Sequence, residues 1–323
     1  MKISVAMATF NGAKYLQAQL DSIIEQDLPP DELVVSDDNS TDETLEILKK
    51  FQSKAKISVV ITEGNQQLGY SQNFGKALSK TTGDLIFLSD QDDVWKKRKI
   101  SETVKFAENH PAALVFLNDA ELADINLSST GLSKLGQLKA AGIDRSHFVM
   151  GCCAAVRREL LEYCLPIPAD FKGHDNWLVE FSNGVSATVI SEEILQYYRR
   201  HGKNTSELRV NQLKKVQRKA VFLESILKAI KSKGDISELI QRKDRLEMFL
   251  RRVGEKKELA LENNRDLLRF EEKIKEELNF IELRISLRTR WLVERVALIL
   301  KKDSRFLYFS NGSLKQMVRD IWA

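Results

Sequence analysis

The sequence predicts an α/β domain built on a parallel sheet, followed by a helical region. Three observations predict it. Short apolar runs alternate with amphipathic stretches over residues 1–204. Polar clusters stand directly after three of those runs. Beyond Asn204, Gly and Pro nearly vanish and leucines recur among Lys, Arg and Glu. Alternating strands and helices argue for a parallel sheet, and such sheets bind ligands at the carboxyl ends of their strands.

Taken in order, residues 3–8 are an apolar, β-branched run, read as a buried strand. Thr9, Phe10, Asn11 and Gly12 break it. Leu16, Leu20, Ile23 and Ile24 recur at helical spacing over 13–26, and Pro29-Pro30 forbids continuation. Leu33-Val34-Val35 is a second strand ending at Ser36-Asp37-Asp38-Asn39-Ser40. Ser40 with Glu43 fits a capping box for a helix that carries Leu45, Leu48 and Phe51 inward. Residues 57–61 are a third strand, 64–69 a loop and 71–79 a helix. Residues 85–89 form a fourth strand, which runs into Asp90-Gln91-Asp92-Asp93.

Three carboxylates in four residues repel one another. A divalent cation and hydrogen-bond donors are the usual compensators. The alternative is that these acids cap a helix starting near Val94. The clusters at Thr9–Asn11, Asp37–Asn39 and Asp90–Asp93 share one end of one sheet, which points to a common crevice. No Gly-x-Gly-x-x-Gly and no Gly-x-x-x-x-Gly-Lys-Ser/Thr is present, which disfavours a dinucleotide fingerprint and a P-loop.

Composition bounds the rest. The chain has 323 residues, 43% hydrophobic and 30% charged, enough for one large or two smaller domains. Residues 205–323 hold 28 basic against 18 acidic residues, a net of +10. Residues 1–204 therefore carry −6 of the chain's +4. An acidic front and a basic back suggest two parts with different partners. Cys152, Cys153 and Cys164 make neither a disulfide framework nor a zinc pattern and read as buried thiols. The opening residues are too soon polar for a signal peptide, and no apolar stretch is long enough to span a bilayer. The expectation is a reducing cytoplasm.

Further along, 96–108 is a charged helix and 112–117 a strand. Residues 122–143 lack strong periodicity and read as a long surface excursion with room for a short helix, either a functional loop or merely a variable connection. Residues 148–156 fit a strand, in which Gly151 either admits a close backbone or marks a bulge. A helix over 157–163 ends before Pro166-Ile167-Pro168. Then comes Gly173-His174-Asp175-Asn176-Trp177. A carboxylate at a helix start is either an N-cap or a base placed in a cleft. Residues 185–190 are a strand, followed by Tyr197-Tyr198-Arg199-Arg200-His201-Gly202-Lys203-Asn204, a concentration of donors suited to phosphate.

Together, Val5–Gly12, Val35–Asp42 and Phe87–Trp95 resemble the family 2 glycosyltransferases of GT-A fold, most nearly the rhamnosyltransferase-like set of bacterial surface polysaccharide synthesis. The resemblance implies that Thr9, Asn11, Asp37 and Asp38 hold the nucleotide base and ribose. It implies that Asp90 meets the ribose, with Asp93 an outer-shell candidate. Asp92 would hold a divalent metal, Mg2+ or Mn2+. A similar His-Asp followed by Trp makes Asp175 the catalytic base and places His174 and Trp177 toward the acceptor. A similar Tyr-Arg-x-His-Gly-x-Asn makes Arg199 and His201 contacts of the diphosphate or metal. Inversion by single displacement follows, from a nucleotide-diphosphate sugar to a glycan or lipid-linked hydroxyl. The Gln-x-x-Arg-Trp signature of processive synthases is absent, which argues for adding one or a few sugars.

The domain expectation is a catalytic domain over 1–204 and a basic helical region over 205–323, broken near Gly234. Residues 284–323 hold nine basic against three acidic residues, with Trp291, Phe306, Tyr308, Phe309 and Trp322 interleaved. That pattern suits an anionic membrane surface, hence the inner face of a plasma membrane. Homo-oligomerisation and plain packing remain open, and nothing favours nucleic acid. Two other classes stay open: a sugar nucleotidyltransferase, and a non-catalytic binding partner.

Overall fold

The structure is a computed structural model, and it describes residues 1–202, 204, 209–221, 223, 235–259, 265–290, 294, 298, 299 and 320. Two compact units result, Met1–Val221 and Phe222–Ala323.

The first unit is a nine-stranded mixed sheet with helices packed on it. Its strands are β1 (Ile3–Thr9), β2 (Glu32–Asp37), β3 (Ser58–Glu63), β4 (Leu85–Ser89), β5 (Val94–Trp95), β6 (Val115–Ala123), β7 (Ser129–Ser133), β8 (Ala154–Arg157) and β9 (Thr188–Arg199). Their order is β3-β2-β1-β4-β8-β6-β9-β5, with β7 paired to β6. Pairing is parallel from β3 to β4, with α1 (Ala13–Ile24), α2 (Thr44–Gln52) and α3 (Tyr70–Ser79) in the crossovers. The expected parallel sheet thus covers only this half. β8 is antiparallel to both β4 and β6, while β6 and β9 are parallel. The short link from β6 to β7 permits only an antiparallel pair.

The apolar runs seen in the sequence are the core. Val5, Met7, Leu33, Val35, Leu85 and Phe87 pack with Leu16, Leu20 and Ile23 of α1. These strands are buried on both faces, as parallel strands under helices should be. Register aligns Thr9 with Asp37 and Met7 with Ser89, so the polar clusters leave the sheet at one edge. Because β8 is antiparallel to β4, its beginning lies at that same edge. A 3-10 turn at Gly151–Cys153 leads into it, where the sequence suggested continuous strand over 148–156.

Other differences have local causes. Asp90–Asp93 do not cap a helix: β5 intervenes, and α4 (Lys99–Glu108) starts later. The proposed capping box does not form. Ser40 donates to Asp37 instead, through N at 2.8 Å and Oγ at 2.6 Å. The excursion over 122–143 contains β7 and α5 (Lys134–Ala141), whose residues alternate too weakly to be read from pattern. The expected strand at 185–190 is the first part of β9, which continues to Arg199.

After α6 (Arg158–Cys164), α7 (His174–Gly184) starts at Gly173, whose φ of 101° suits glycine. Trp177 of α7 is fully buried. Its Nε1 donates to Cys164 O at 2.8 Å and its ring meets Phe171 edge-on at 4.9 Å. Trp177→Ala is expected to cost about 3–5 kcal/mol of stability, measured by denaturant unfolding. A cost below about 1 kcal/mol would contradict its burial.

The second unit contains α8 (Ser237–Leu259) and α9 (Arg265–Arg288). Phe249 and Phe270 meet at 6.0 Å. Asp320, wholly buried, is clasped by Arg284 at 2.6 Å and Arg288 at 2.8 Å. Trp291, Phe306, Tyr308, Phe309, Trp322, Lys203 and Gly234 lie outside the described residues. Among the described residues, no helix is long and apolar enough to cross a membrane.

Candidate functional site

Four segments converge at the carboxyl edge of β1, β2 and β4. Thr9 Oγ1 donates to Asp37 Oδ2 at 2.7 Å, and Ser40 closes on the same carboxylate. Asp37 is 1% exposed, so it braces the two loops from within. Asn11 and Asn39 take left-handed φ of 45° and 63°, which asparagine tolerates. Asn11 Oδ1 accepts from Thr41 N at 2.8 Å. Asp38 accepts from Leu68 N at 2.6 Å and Gly69 N at 2.9 Å, pinning the turn before α3. Thr9, Asn11, Asp37 and Asp38 thus share one rim.

The acid loop follows β4. Gln91 ties it to the first loop, donating to Phe10 O and accepting from Phe10 N, both at 2.9 Å. Asp93 is fully buried and accepts from Gln196 Nε2 at 3.0 Å and Arg199 N at 3.1 Å. Burial, then the charges of Asp92 and Asp90, push its carboxyl well above the ordinary range. Lys99 is buried beneath, donating to Cys152 O at 2.7 Å and to Gln196 Oε1, with Trp95 4.3 Å under its ammonium. Burial pushes its pKa down.

Asp92 Oδ2 lies 2.8 Å from His201 Nε2. The His201 ring stacks on Tyr15 at 4.8 Å. Arg199 is 6% exposed. Its Nε donates to Asp92 O and its Nη1 to Ile125 O, both at 2.8 Å, so its fork is largely committed to main chain.

Asp175 heads α7. Its Oδ1 accepts from Asn176 N at 2.9 Å and its Oδ2 from Gly151 N at 3.3 Å. Its charge acts on both Asp90 and Tyr70, and Gly151, from which it accepts, precedes Cys152, whose Sγ lies within 4.8 Å of a carboxylate oxygen of Asp90, so the expected base stands beside the acid loop. The expected acceptor contacts are corrected here. Trp177 is core, and His174 is 5% exposed, stacked on Phe74 at 3.8 Å. Burial lowers the His174 pKa, so it is a neutral packing element behind Asp175. Tyr70 is 46% exposed, its ring centre 6.1 Å from that of His174 in an edge-on arrangement.

The residues fit a divalent cation. The Asp90 carboxyl is pushed up to about 7 by burial, then by the charges of Asp92 and Asp175. Burial and like charge both favour the neutral acid, and a cation bound there would relieve the like charge. Donor atoms of Asp90, Asp93 and Cys152 lie within 4.8 Å of one another. Asp93 is already spent on Gln196 and Arg199. Burial holds the Cys152 thiol protonated. The Asp92–His201 pair is partly open and offers a carboxylate and an imidazole, so it too could hold a divalent cation.

Asp90→Asn is expected to stabilise the metal-free protein by roughly 1–3 kcal/mol at pH 8 and by little at pH 4. The folded pKa of about 7 lies above the unfolded value of about 4. Ionisation therefore costs stability as pH rises through that window, and the cost is complete above it. Thermal scans at both pH values check this; an equal gain at each would reject it.

Sequence reasoning missed Gln91, Lys99, Gln196 and Tyr70, and singled out Gly151 only as a close approach or a bulge. Lys99 had a signal, standing one turn before Thr103 on the inward face of α4. The others are placed by pairing and turns.

The family model for Glycosyl transferase family 2 matches residues 4–165. An uncharacterised glycosyltransferase of Nostoc sp. is 30% identical over 215 residues, 63% of this chain and 66% of that protein. The chain thus spans just under two thirds of that relative's length. Staphylococcus aureus TarS (residues 1–349, in complex with UDP-GlcNAc) has a similar structure, with TM-score 0.54 and 17% identity over 99% of this chain and 82% of that one. A mannosyltransferase from Pyrobaculum calidifontis, in complex with GDP-Man and Mn2+, gives 0.52 and 16% over 99% and 85%. At these identities the structural likeness establishes the fold alone.

Proposed function

The chain belongs to glycosyl transferase family 2; from that premise we propose that it is a metal-dependent, inverting glycosyltransferase of bacterial surface polysaccharide synthesis. The donor is a nucleotide-diphosphate sugar and the acceptor a hydroxyl of a glycan or lipid-linked glycan. The observation that carries the reading is the gathering of Asp92, His201, Asp90 and Asp175 at one edge of the sheet, with His201 Nε2 2.8 Å from Asp92 and Asp175 bonded to Gly151 N next to the Cys152 that approaches Asp90. The nucleotide-sugars in the TarS and mannosyltransferase structures support the donor class.

Thr9, Asn11 and Asp38 form the rim for the base and ribose, with Asp37 bracing it and Asp90 reaching the ribose. Asp92 and His201 hold the divalent cation, which when bound neutralises charge on the leaving diphosphate. Arg199 keeps the acid loop and the segment carrying His201 together. Asp175 accepts the proton of the acceptor hydroxyl, which attacks the anomeric carbon as the bond to the diphosphate breaks. One displacement on the opposite face inverts the configuration. The catalytic domain spans 1–204, and the basic helical region serves a membrane surface or self-association.

The test is thermal stabilisation by a panel of nucleotide-sugars, each with Mn2+ and with chelator. Binding to the folded state raises the melting temperature by mass action. One donor is expected to stabilise, and chelator to abolish the effect. Asp92→Ala should lose the metal response; an undiminished response would reject its ligand role.

A further inference from the structure

We propose that Tyr15 is a positioning residue of the cation site, its ring being the platform that holds the His201 imidazole beside Asp92. The proposal rests on the metal-dependent reading and deepens it by naming what keeps the two ligands together.

Tyr15 lies in the first turn of α1 and is half-buried. Its ring and the His201 ring are stacked, with centres 4.8 Å apart and planes inclined by 22°. The Arg199 guanidinium carbon stands 4.8 Å from the centre of the same tyrosine ring. One aromatic side chain therefore meets two side chains from the end of β9 and the turn after it. Among the described residues the Tyr15 hydroxyl has no hydrogen bond, so the ring face is what acts.

Both contacts lead to Asp92. His201 Nε2 lies 2.8 Å from Asp92 Oδ2, and Arg199 Nε donates to Asp92 O at 2.8 Å. β9 ends at Arg199, so His201 stands beyond the ladder. Its main-chain N donates to Asn204 Oδ1 at 2.6 Å, which fixes the turn but not the ring. The second side-chain torsion of histidine is broad. A stacked aromatic face narrows it and sets the ring plane. A ligand already held in its binding orientation loses less freedom when the cation arrives.

The platform is itself rigid. Leu16, Leu20 and Ile23 anchor α1 in the core. Tyr15 N donates to Gly12 O at 3.0 Å, and Gly12 N donates to Thr44 Oγ1 at 2.8 Å. The head of α1 thus ties the rim that carries Asn11 to the cation ligands.

Mn2+ alone is the probe. It is titrated into the full chain, and the EPR signal of the free ion reads the bound fraction. Tyr15→Leu keeps an apolar side chain but removes the aromatic face. It is expected to weaken apparent Mn2+ affinity roughly five- to tenfold. Tyr15→Phe keeps the face and is expected to bind as wild type does. Leu48→Ala, a core change on α2, controls for lost stability and is expected to leave Mn2+ affinity unchanged. Titrations are run at a temperature where circular dichroism shows every variant folded. Wild-type affinity in Tyr15→Leu overturns the platform. An equal loss in Tyr15→Phe overturns the role of the ring face, and an equal loss in Leu48→Ala reduces Tyr15 to general stability. Asp92→Ala separates the two readings. If it loses Mn2+ while Tyr15→Leu does not, the Tyr15 role alone falls. If wild type binds no Mn2+, or Asp92→Ala binds it equally, the metal reading fails and takes the Tyr15 role with it. Should Tyr15→Leu not fold, Tyr15→Met carries the comparison.

Discussion

Asp175→Asn is expected to bind donor as wild type does and to lose transfer by about a thousandfold. The change is isosteric and removes only the capacity to take a proton at the acceptor hydroxyl. Asn176 N, at 2.9 Å from Oδ1, fixes which side keeps its oxygen. The new amide then faces Gly151 N, a mild local conflict at the 3.3 Å contact. There is a second readout. The Asp175 charge helps hold the Asp90 carboxyl near 7, so the variant should draw that pKa down. Single-turnover transfer and donor-induced stabilisation measure the two halves. Turnover like that of wild type would reject the base assignment.

Gly151→Ala should damage both stability and transfer, though no catalytic group is replaced. A Cβ there would stand 2.7 Å from His174 Nε2 and 3.3 Å from Asp175 Cβ. The His174 ring cannot yield easily, being stacked on Phe74 at 3.8 Å and 5% exposed. Overpacking of this kind costs about 1–3 kcal/mol. The least costly relief swings the head of α7 outward, carrying Asp175 with it. A displacement near 1 Å at the base costs about a hundredfold in rate. Denaturant unfolding and the transfer rate check this, with Gly254→Ala as control, since nothing lies within 4 Å of a Cβ there. Unchanged stability and rate in Gly151→Ala would remove the steric account.

The parallel half of the sheet was legible because its strands are buried on both faces. Runs such as Leu85-Ile86-Phe87-Leu88 read directly as strand, and their polar ends marked the crevice. The antiparallel half was not. β8 is four residues long after a 3-10 turn, and its pairing with β4 and β6 depends on distant segments. At the site, Asp90, Asp92, Asp175 and His201 were singled out from motif resemblance, and His201 Nε2 stands 2.8 Å from Asp92. The burial of Trp177 was not, because a tryptophan two residues after an acid reads equally well as core or as ligand platform. The buried chain from Lys99 through Gln196 to Asp93 was legible only at its acid end, since its members come from separate segments and Lys99 and Gln196 are residue types normally found at the surface.

β9 also bears on how this lineage can vary in length. Between Leu117 and Asp119 of β6 its register slips, so that Ile190 and Ile194 face residues only two apart. Ser191, Glu192 and Glu193 fill the slack, the two glutamates exposed to solvent. Descendants of this chain can therefore gain or shed residues there while the sheet absorbs the change. Past Gln196 no such slack exists. A one-residue deletion between Gln196 and His201 would exchange inner for outer faces. It would part Gln196 from Asp93 and His201 from Asp92 in a single step. Insertions in surviving relatives should accumulate on one side of Gln196 and be purged on the other.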